Sequence, residues 1–240
     1  MERVTFDGYE ITQYHDVIGI VRTAPHMTPN LVMAGETGRY SYGGRTMVPP
    51  RISFTILANS GMEDRRRREF HELANVLMVS DFVKVAFSTD DGLYYMAIPD
   101  TELSEKQYVM DGKMDVSMQC DSIAKYGREH SVTVPSGGSK TFIVGGNHKA
   151  YPVIETSLAV RANGIWGVRL DEQGYAHVSL PSSSASSVTI DCAEQLCSVN
   201  GYASMITLDS DWLELEPGER TIRNDAGTGA CTVTWQERWV

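Results

Sequence analysis

The chain has 240 residues with 42% hydrophobic and 9% aromatic side chains, the composition of a globular protein and not of a disordered or fibrous one; its length predicts two domains, because single cores stop growing beyond a couple of hundred residues. The formal net charge is −10, spread as 14 basic and 19 acidic residues over positions 1–130 and 7 and 12 over positions 131–240. Neither half is a polycation able to neutralise phosphates, which argues against nucleic-acid binding, and no apolar run approaches the roughly 18 residues of a membrane span.

In chain order, Val4–Phe6 and Tyr9–Ile11 around Asp7-Gly8 predict a small hairpin, and Val17–Arg22 a further strand. From Ala24 to Pro50, prolines and glycines break any period, with Tyr40 and Tyr42 between them; so long an excursion is expected to be functional or disordered. Arg51–Leu57 reads as a strand with Ile52, Phe54 and Ile56 on one face. One helix follows: Glu63 and Asp64 suit the positive end of its dipole, and Phe70, Leu73, Ala74, Leu77 and Met78 form its apolar stripe. Phe82–Phe87 and Leu93–Ile98 flank Asp90-Asp91-Gly92, a hairpin signal, and Met114, Val116, Met118 and Cys120 alternate with polar residues on a strand with one wet face. The first domain is expected over residues 1–130, a Gly/Pro-rich connector with one short strand over 131–149, and a second domain over 150–240.

The second half reads as short antiparallel strands: Tyr151–Val160, Ile165–Leu170, Ala176–Leu180, Val188–Cys192 and Leu196–Val199, with the Ser182–Ser187 run as a loop. Asn200-Gly201 supplies the pair of positive φ values a tight turn needs. In the last strand Cys231, Val233, Trp235 and Trp239 share one face, and the tryptophans are expected to hold the terminus in place. Cys120, Cys192, Cys197 and Cys231 sit in apparent strands without C-x-x-C spacing, as buried free thiols do. The start of the chain has no apolar signal-peptide core, so folding in a reducing cytoplasm is expected.

No reactive constellation emerges. Ser136–Thr141 lacks the glycine before Lys140 that a phosphate-binding loop requires, and a strand follows where that loop needs a helix. His71-Glu72-x-x-Asn75 lacks the second histidine of a zinc site. Asp209, Asp211, Glu214, Glu216 and Glu219 fringe a turn as solvated charges; a hydrolase reading would rest on them alone. We therefore expect no catalytic residue, no metal and no cofactor. Arg65, Arg66, Arg67 and Arg68 form the strongest local charge feature, read either as a solvated helix face or as a contact with an acidic neighbour. Trp166, Tyr175 and Trp212 are the aromatics that could stack a sugar, with core packing as the alternative for each.

The series I-D-C (190–192), V-N-G (199–201), L-D-S-D-W-L-E-L-E-P-G-E-R-T-I (208–222) and V-T-W-Q-E-R-W (233–239), with the opening strand Tyr151–Glu155, resembles the C-terminal domain of distal tail (Dit) proteins of long-tailed, non-contractile phages of Gram-positive hosts. The earlier order of strands, one helix and paired strands is similar to their N-terminal domain. The resemblance implies a mainly β fold: an N-terminal β-sandwich or split-barrel-like domain with one α-helix, and a C-terminal galectin-like β-sandwich. It matches the short form, without an inserted carbohydrate-binding domain.

It also implies a non-enzymatic component of a phage or prophage tail tip: a homo-hexameric hub ring, placed in the virion after assembly in the host cytoplasm. Its partners would be the tail tube protein, a tip or fibre protein, the tape measure protein and a receptor-binding protein, with no sequence-specific nucleic acid and no membrane insertion. Tyr40, Tyr42, Arg45 and Arg65 to Arg68 are then the expected subunit-interface residues, and the Ala24–Pro50 excursion or the Tyr95–Met114 connection the segment lapping the next subunit. The alternative is a carbohydrate-binding β-sandwich module using Trp166, Tyr175 and Trp212.

Overall fold

A computed structural model describes residues 2–34, 39–159, 164–171, 174–180, 186–225 and 229–240; within these, the side chains of 28–34, 39–46, 157–159 and 186 fall outside the description. The chain divides into unit 1, Met1–Tyr126, and unit 2, Gly127–Val240.

Unit 1 is an antiparallel sheet with helices against it. Its strands are β1 (Val4–Phe6), β2 (Tyr9–Glu10), β3 (Asp16–Arg22), β6 (Arg51–Leu57), β7 (Val83–Phe87), β8 (Tyr94–Pro99) and β9 (Lys113–Cys120). They lie in the order β3-β6-β9-β8-β7-β1-β2. The alternation read from sequence decides the faces: Ile52, Phe54 and Ile56 of β6 and Met114, Val116 and Met118 of β9 are buried in one core. A two-residue shift of side chains per face is what a pleated strand imposes. Arg22, at the end of edge strand β3, pairs with Asp90 at 2.9 Å and lies over the Phe87 ring, so the sheet curls back toward its own far side. Asp90 also binds Lys125 at 2.8 Å.

Among the described residues three helices occur here where one was expected: the single turn α1 (Ile11–Tyr14), α2 (Glu63–Leu77) and α3 (Glu105–Asp111). Phe70, Leu73, Ala74 and Leu77 of α2 are buried, but the helix ends at Leu77, and Met78, the expected fifth member of the stripe, is exposed. Between β3 and β6, β4 (His26–Ala34) and β5 (Arg39–Val48) form a two-stranded ribbon whose strands, among the described residues, pair only with each other. The Ala24–Pro50 excursion is therefore mostly regular β structure.

Unit 2 is a sandwich of two antiparallel sheets. The first runs β17 (Tyr202–Ser204), β16 (Leu196–Val199), β15 (Ser186–Asp191), β12 (Val153–Ala159), β19 (Cys231–Trp239), β10 (Lys125–Val134, residues 127–134 of which belong here); the second runs β11 (Ser139–Val144), β18 (Gly218–Asn224), β13 (Ile165–Leu170), β14 (Gly174–Ser179). Ile154, Ile190 and Val233 from one sheet and Trp166, Val178 and Ile222 from the other share one core. In β19, Cys231, Val233 and Trp235 are buried as the alternation predicts, while Trp239 is partly exposed. Asn200 and Gly201 have φ of 53° and 77°, the positive pair of a tight hairpin turn.

The expected connector is not one. The division falls at 126/127, and residues 131–149 carry the end of β10 and all of β11, both paired within the sandwich. Pro135 and Gly138 close a tight turn between those strands. Gly146, at φ 93°, lets the backbone pass so close to β19 that a Cβ would lie 2.3 Å from the Arg238 carbonyl oxygen. Composition alone does not separate such turns from a joint. Of the expected Ser182–Ser187 loop, residues 182–185 lie outside the described residues, and Ser186 and Ser187 begin β15.

Candidate functional site

The four arginines of α2 divide by helical position. Side chains three and four apart share a face, and Arg66 falls on the side toward α3. Its Nε donates to the Ser60 carbonyl at 2.7 Å, and its Nη1 to the Val109 and Met110 carbonyls at 2.9 and 3.3 Å. These are among the last carbonyls of α3, which lack helical partners and carry the negative end of the dipole. Arg67 pairs with Glu105 in the first turn of α3 at 3.2 Å, with both side chains well exposed. Arg66 is thus an intramolecular clamp, whereas Arg65 and Arg68 are exposed and make no ion pair among the described residues.

The expected Tyr95–Met114 connection holds the helix α3. Ser104 caps the helix, accepting from the Gln107 amide at 3.3 Å; Gly112 ends it in the left-handed region; Tyr108 and Val109 are buried. Tyr108 donates its phenol to Glu69, and burial pushes its ionisation above the usual range. Tyr108 and Val109 thus anchor this connection in the core of unit 1, while Met110 is exposed. Tyr40, Tyr42 and Arg45 stand on β5 in register with Met33, Leu31 and Pro29 of β4; their side chains lie outside the described residues.

The three sugar-stacking candidates do not form one platform. Trp166 has no exposed surface, and its Nε1 donates to Asn224 Oδ1 at 3.0 Å, so its ring is core and cannot meet a ligand. Tyr175 is half-buried beside His177, ring centroids 4.9 Å apart. Trp212 is half-buried at the wall of a depression of about 590 Å³ lined by Asp171, Gly174, Asp211, Glu214, Glu216 and Arg220, among others. Two of its four carboxylates are engaged: Asp171 accepts from the Thr221 amide at 2.8 Å and Glu214 binds Lys149 at 2.6 Å. Asp209 is held below the usual carboxylate range, first by the Thr207 hydroxyl it accepts from. That direction favours the anion and is opposite to what a general acid requires.

A second depression, about 520 Å³, lies in unit 1 beside the end of α2, between Leu77–Ser80 and Pro99–Leu103. The four thiols are buried and unbridged. Burial pushes Cys120 and Cys192 up to about 12 and Cys231 to about 11, so these thiols stay protonated at neutral pH and are poor nucleophiles. Among the described residues no group of His, Cys, Asp and Glu is placed to hold a metal, and no helix is long and apolar enough to cross a membrane.

Comparison with known proteins bears on the whole chain. Residues 145–239 match the family model of the siphovirus-type tail component, C-terminal domain. A comparison with curated sequences found no match. Among solved structures, the chain is similar to the SPP1 Dit protein (gp 19.1), described as a paradigm of the hub adsorption apparatus in phages infecting Gram-positive bacteria: TM-score 0.72, 16% identity, 100% of each chain covered. It is also similar to a chain of the phage P2 baseplate in its activated conformation with calcium, at TM-score 0.59 and 10% identity over 99% of this chain and 98% of that one. The same baseplate with strontium gives 0.59 and 9% over 98% of each. The mainly β, antiparallel fold is shared end to end with the SPP1 protein, and residues 145–239 match the tail-component domain model, in line with the resemblance read from the sequence.

Proposed function

We propose that this chain is the hub of a phage or prophage tail tip, a ring of six copies that joins the tail tube to the tip fibre or receptor-binding apparatus. The observation that carries this reading is the tail-component domain at residues 145–239 within a chain that shares its fold from end to end with the SPP1 hub protein. The role is mechanical. The protein is placed in the virion tail after assembly in the host cytoplasm, and its partners are the tail tube, tape measure, tip or fibre and receptor-binding proteins.

A closed ring needs two different, complementary faces on each subunit. The β4–β5 ribbon supplies one: strands of 9 and 10 residues with no other partner strand among the described residues extend on the order of 30 Å and present open edges to a neighbour. Tyr40, Tyr42 and Arg45 ride on it. Arg65 and Arg68 supply cations for carboxylates of the next subunit, which offsets the like-charge repulsion of protomers carrying −10 each. An acidic lumen would pass DNA without holding it.

Light scattering of the purified chain tests the arginine contact. Arg65→Gln with Arg68→Gln is expected to weaken the oligomer, more so at low salt; an unchanged oligomer would remove the contact. Leaving Arg66 in place keeps the α2–α3 junction out of the comparison.

A second reading, carbohydrate binding, draws on the depression beside Trp212, whose volume of about 590 Å³ falls within the range of small-ligand sites. Glycan-array binding by the full chain that is lost in Trp212→Ala would favour it.

A further inference from the structure

On one edge of the C-terminal sandwich, large apolar side chains face solvent. Leu196 is 63% exposed, Tyr202 and Met205 are each 79% exposed, and Leu208 is fully so. They belong to one short stretch. Cys197 of β16 stands opposite Ser204 of β17, and continuing that register sets Met205 beside Leu196 on the outer face of the sheet. The chain then crosses to the second sheet, where Ile206 bridges to Val178 and the Thr207 amide donates to the His177 carbonyl.

Two consequences follow. The segment after β17 covers the edge of β14, the last strand of the second sheet, with the Asp211 amide also donating to the Tyr175 carbonyl. The edge of the first sheet stays open, because β17 ends it and, among the described residues, no strand pairs with the outer side of β17. Leu208 projects from the turn closed by the Ser210 amide and the Thr207 carbonyl. Burying that side chain within its own fold would have been favourable, yet the turn holds it outward. Exposed large apolar side chains gathered along one open edge in this way mark interaction sites.

Charge says what covers it. Residues 178–219 contain no Lys, Arg or His and seven carboxylates. Of these, Glu194 lies in the turn before Leu196, and Asp209 and Asp211 follow Leu208; all three are exposed. A second copy laid on the same patch would bring these carboxylates together, which is unfavourable.

We infer that this edge docks an extended segment of a different protein in which Lys or Arg residues flank apolar ones. The segment runs along β17 as an added strand, its apolar side chains on Leu196, Met205 and Leu208 and its cations on Asp209 and Asp211. The inference rests on the tail-tip reading for its biological setting and names the face by which the C-terminal unit would bind a tip component. Its physical content stands apart from the ring.

The probe is a labelled eight-residue peptide alternating Lys with Val and Leu, titrated into the full-length chain by fluorescence anisotropy, with a Lys/Ser peptide of equal charge as control. Binding should fall at least about tenfold in Leu196→Ser/Met205→Ser/Leu208→Ser, as expected for central apolar contacts. Asp209→Asn/Asp211→Asn should weaken binding and flatten its salt dependence. The thermal midpoints of both variants should stay near that of the parent, because the altered side chains are exposed.

Absence of binding overturns the inference, as does equal binding of the Lys/Ser peptide or equal binding by the serine variant. Loss of self-association in the serine variant also overturns it, because the occupant would then be a second copy. Mass measurement on the same samples separates the two proposals. A ring that forms without binding peptide defeats the docking edge alone, and a monomer that binds peptide at this edge defeats the ring alone.

Discussion

Arg66 Nη1 donates to the Val109 carbonyl at 2.9 Å, so that a cation on α2 closes the C-terminus of α3. Arg66→Ala leaves the Val109, Met110 and Ser60 carbonyls without this donor. Hydrogen bonds to charged groups contribute ~1.5–3 kcal/mol, so the variant should lose stability of that order in urea unfolding. Arg65→Ala and Arg68→Ala, on the exposed side, should change it by less than ~0.5 kcal/mol. Equal effects at the three positions would contradict the division of the arginine cluster.

Asn224 is 1% exposed and links three elements: it accepts from Trp166 Nε1 at 3.0 Å and donates to the carbonyls of Gly229 at 3.0 Å and Val134 at 3.4 Å. Asn224→Ala strands a buried indole donor, at a cost of ~1–3 kcal/mol for that group alone, and should redden tryptophan emission as water reaches the ring. An unshifted spectrum with unchanged stability would place Trp166 outside the core.

The thiols give a pH prediction with a definite sign. Cys120, Cys192 and Cys231 ordinarily titrate near 9.0 and are pushed up to about 12, 12 and 11 by burial. Above pH 9 the unfolded chain releases thiol protons that the folded chain keeps, so their contribution to stability is complete below pH 9 and is lost as pH rises toward 12. Alkaline unfolding should begin at higher pH in Cys120→Ala than in the parent, once each is referenced to its stability at pH 7. At pH 8 a thiol reagent should label the folded chain only at its opening rate; rapid labelling of any of these three cysteines would contradict their burial.

How much of this was legible in the sequence depends on which signals are local. The strands over Arg51–Leu57 and Lys113–Cys120, the stripe of α2 and the Asn200-Gly201 turn follow from period and turn chemistry, and the structure shows them in place. The helix α3 carried its own marks, Ser104 and Gln107 three apart as a capping box and Gly112 at its end; at seven residues it has too little apolar periodicity to stand out. Pro29 in β4 sits where the ribbon's register shifts, the place where a sheet tolerates proline, and so the ribbon reads as irregular. Whether a tryptophan is core or wall is decided by long-range pairing. Trp166 faces inward because β13 lies between β18 and β14, and no short window of sequence contains that information. The docking edge was missed for the same reason: Leu196 and Met205 become neighbours only through the β16–β17 register.

Sedimentation of the purified chain decides whether six copies assemble into a ring. The purified chain, alone and co-expressed with its tail tube protein, should give a species six times the 26.6 kDa of one chain, and removal of residues 26–48 should abolish it. A 26.6 kDa species persisting in both preparations would mean that no ring forms.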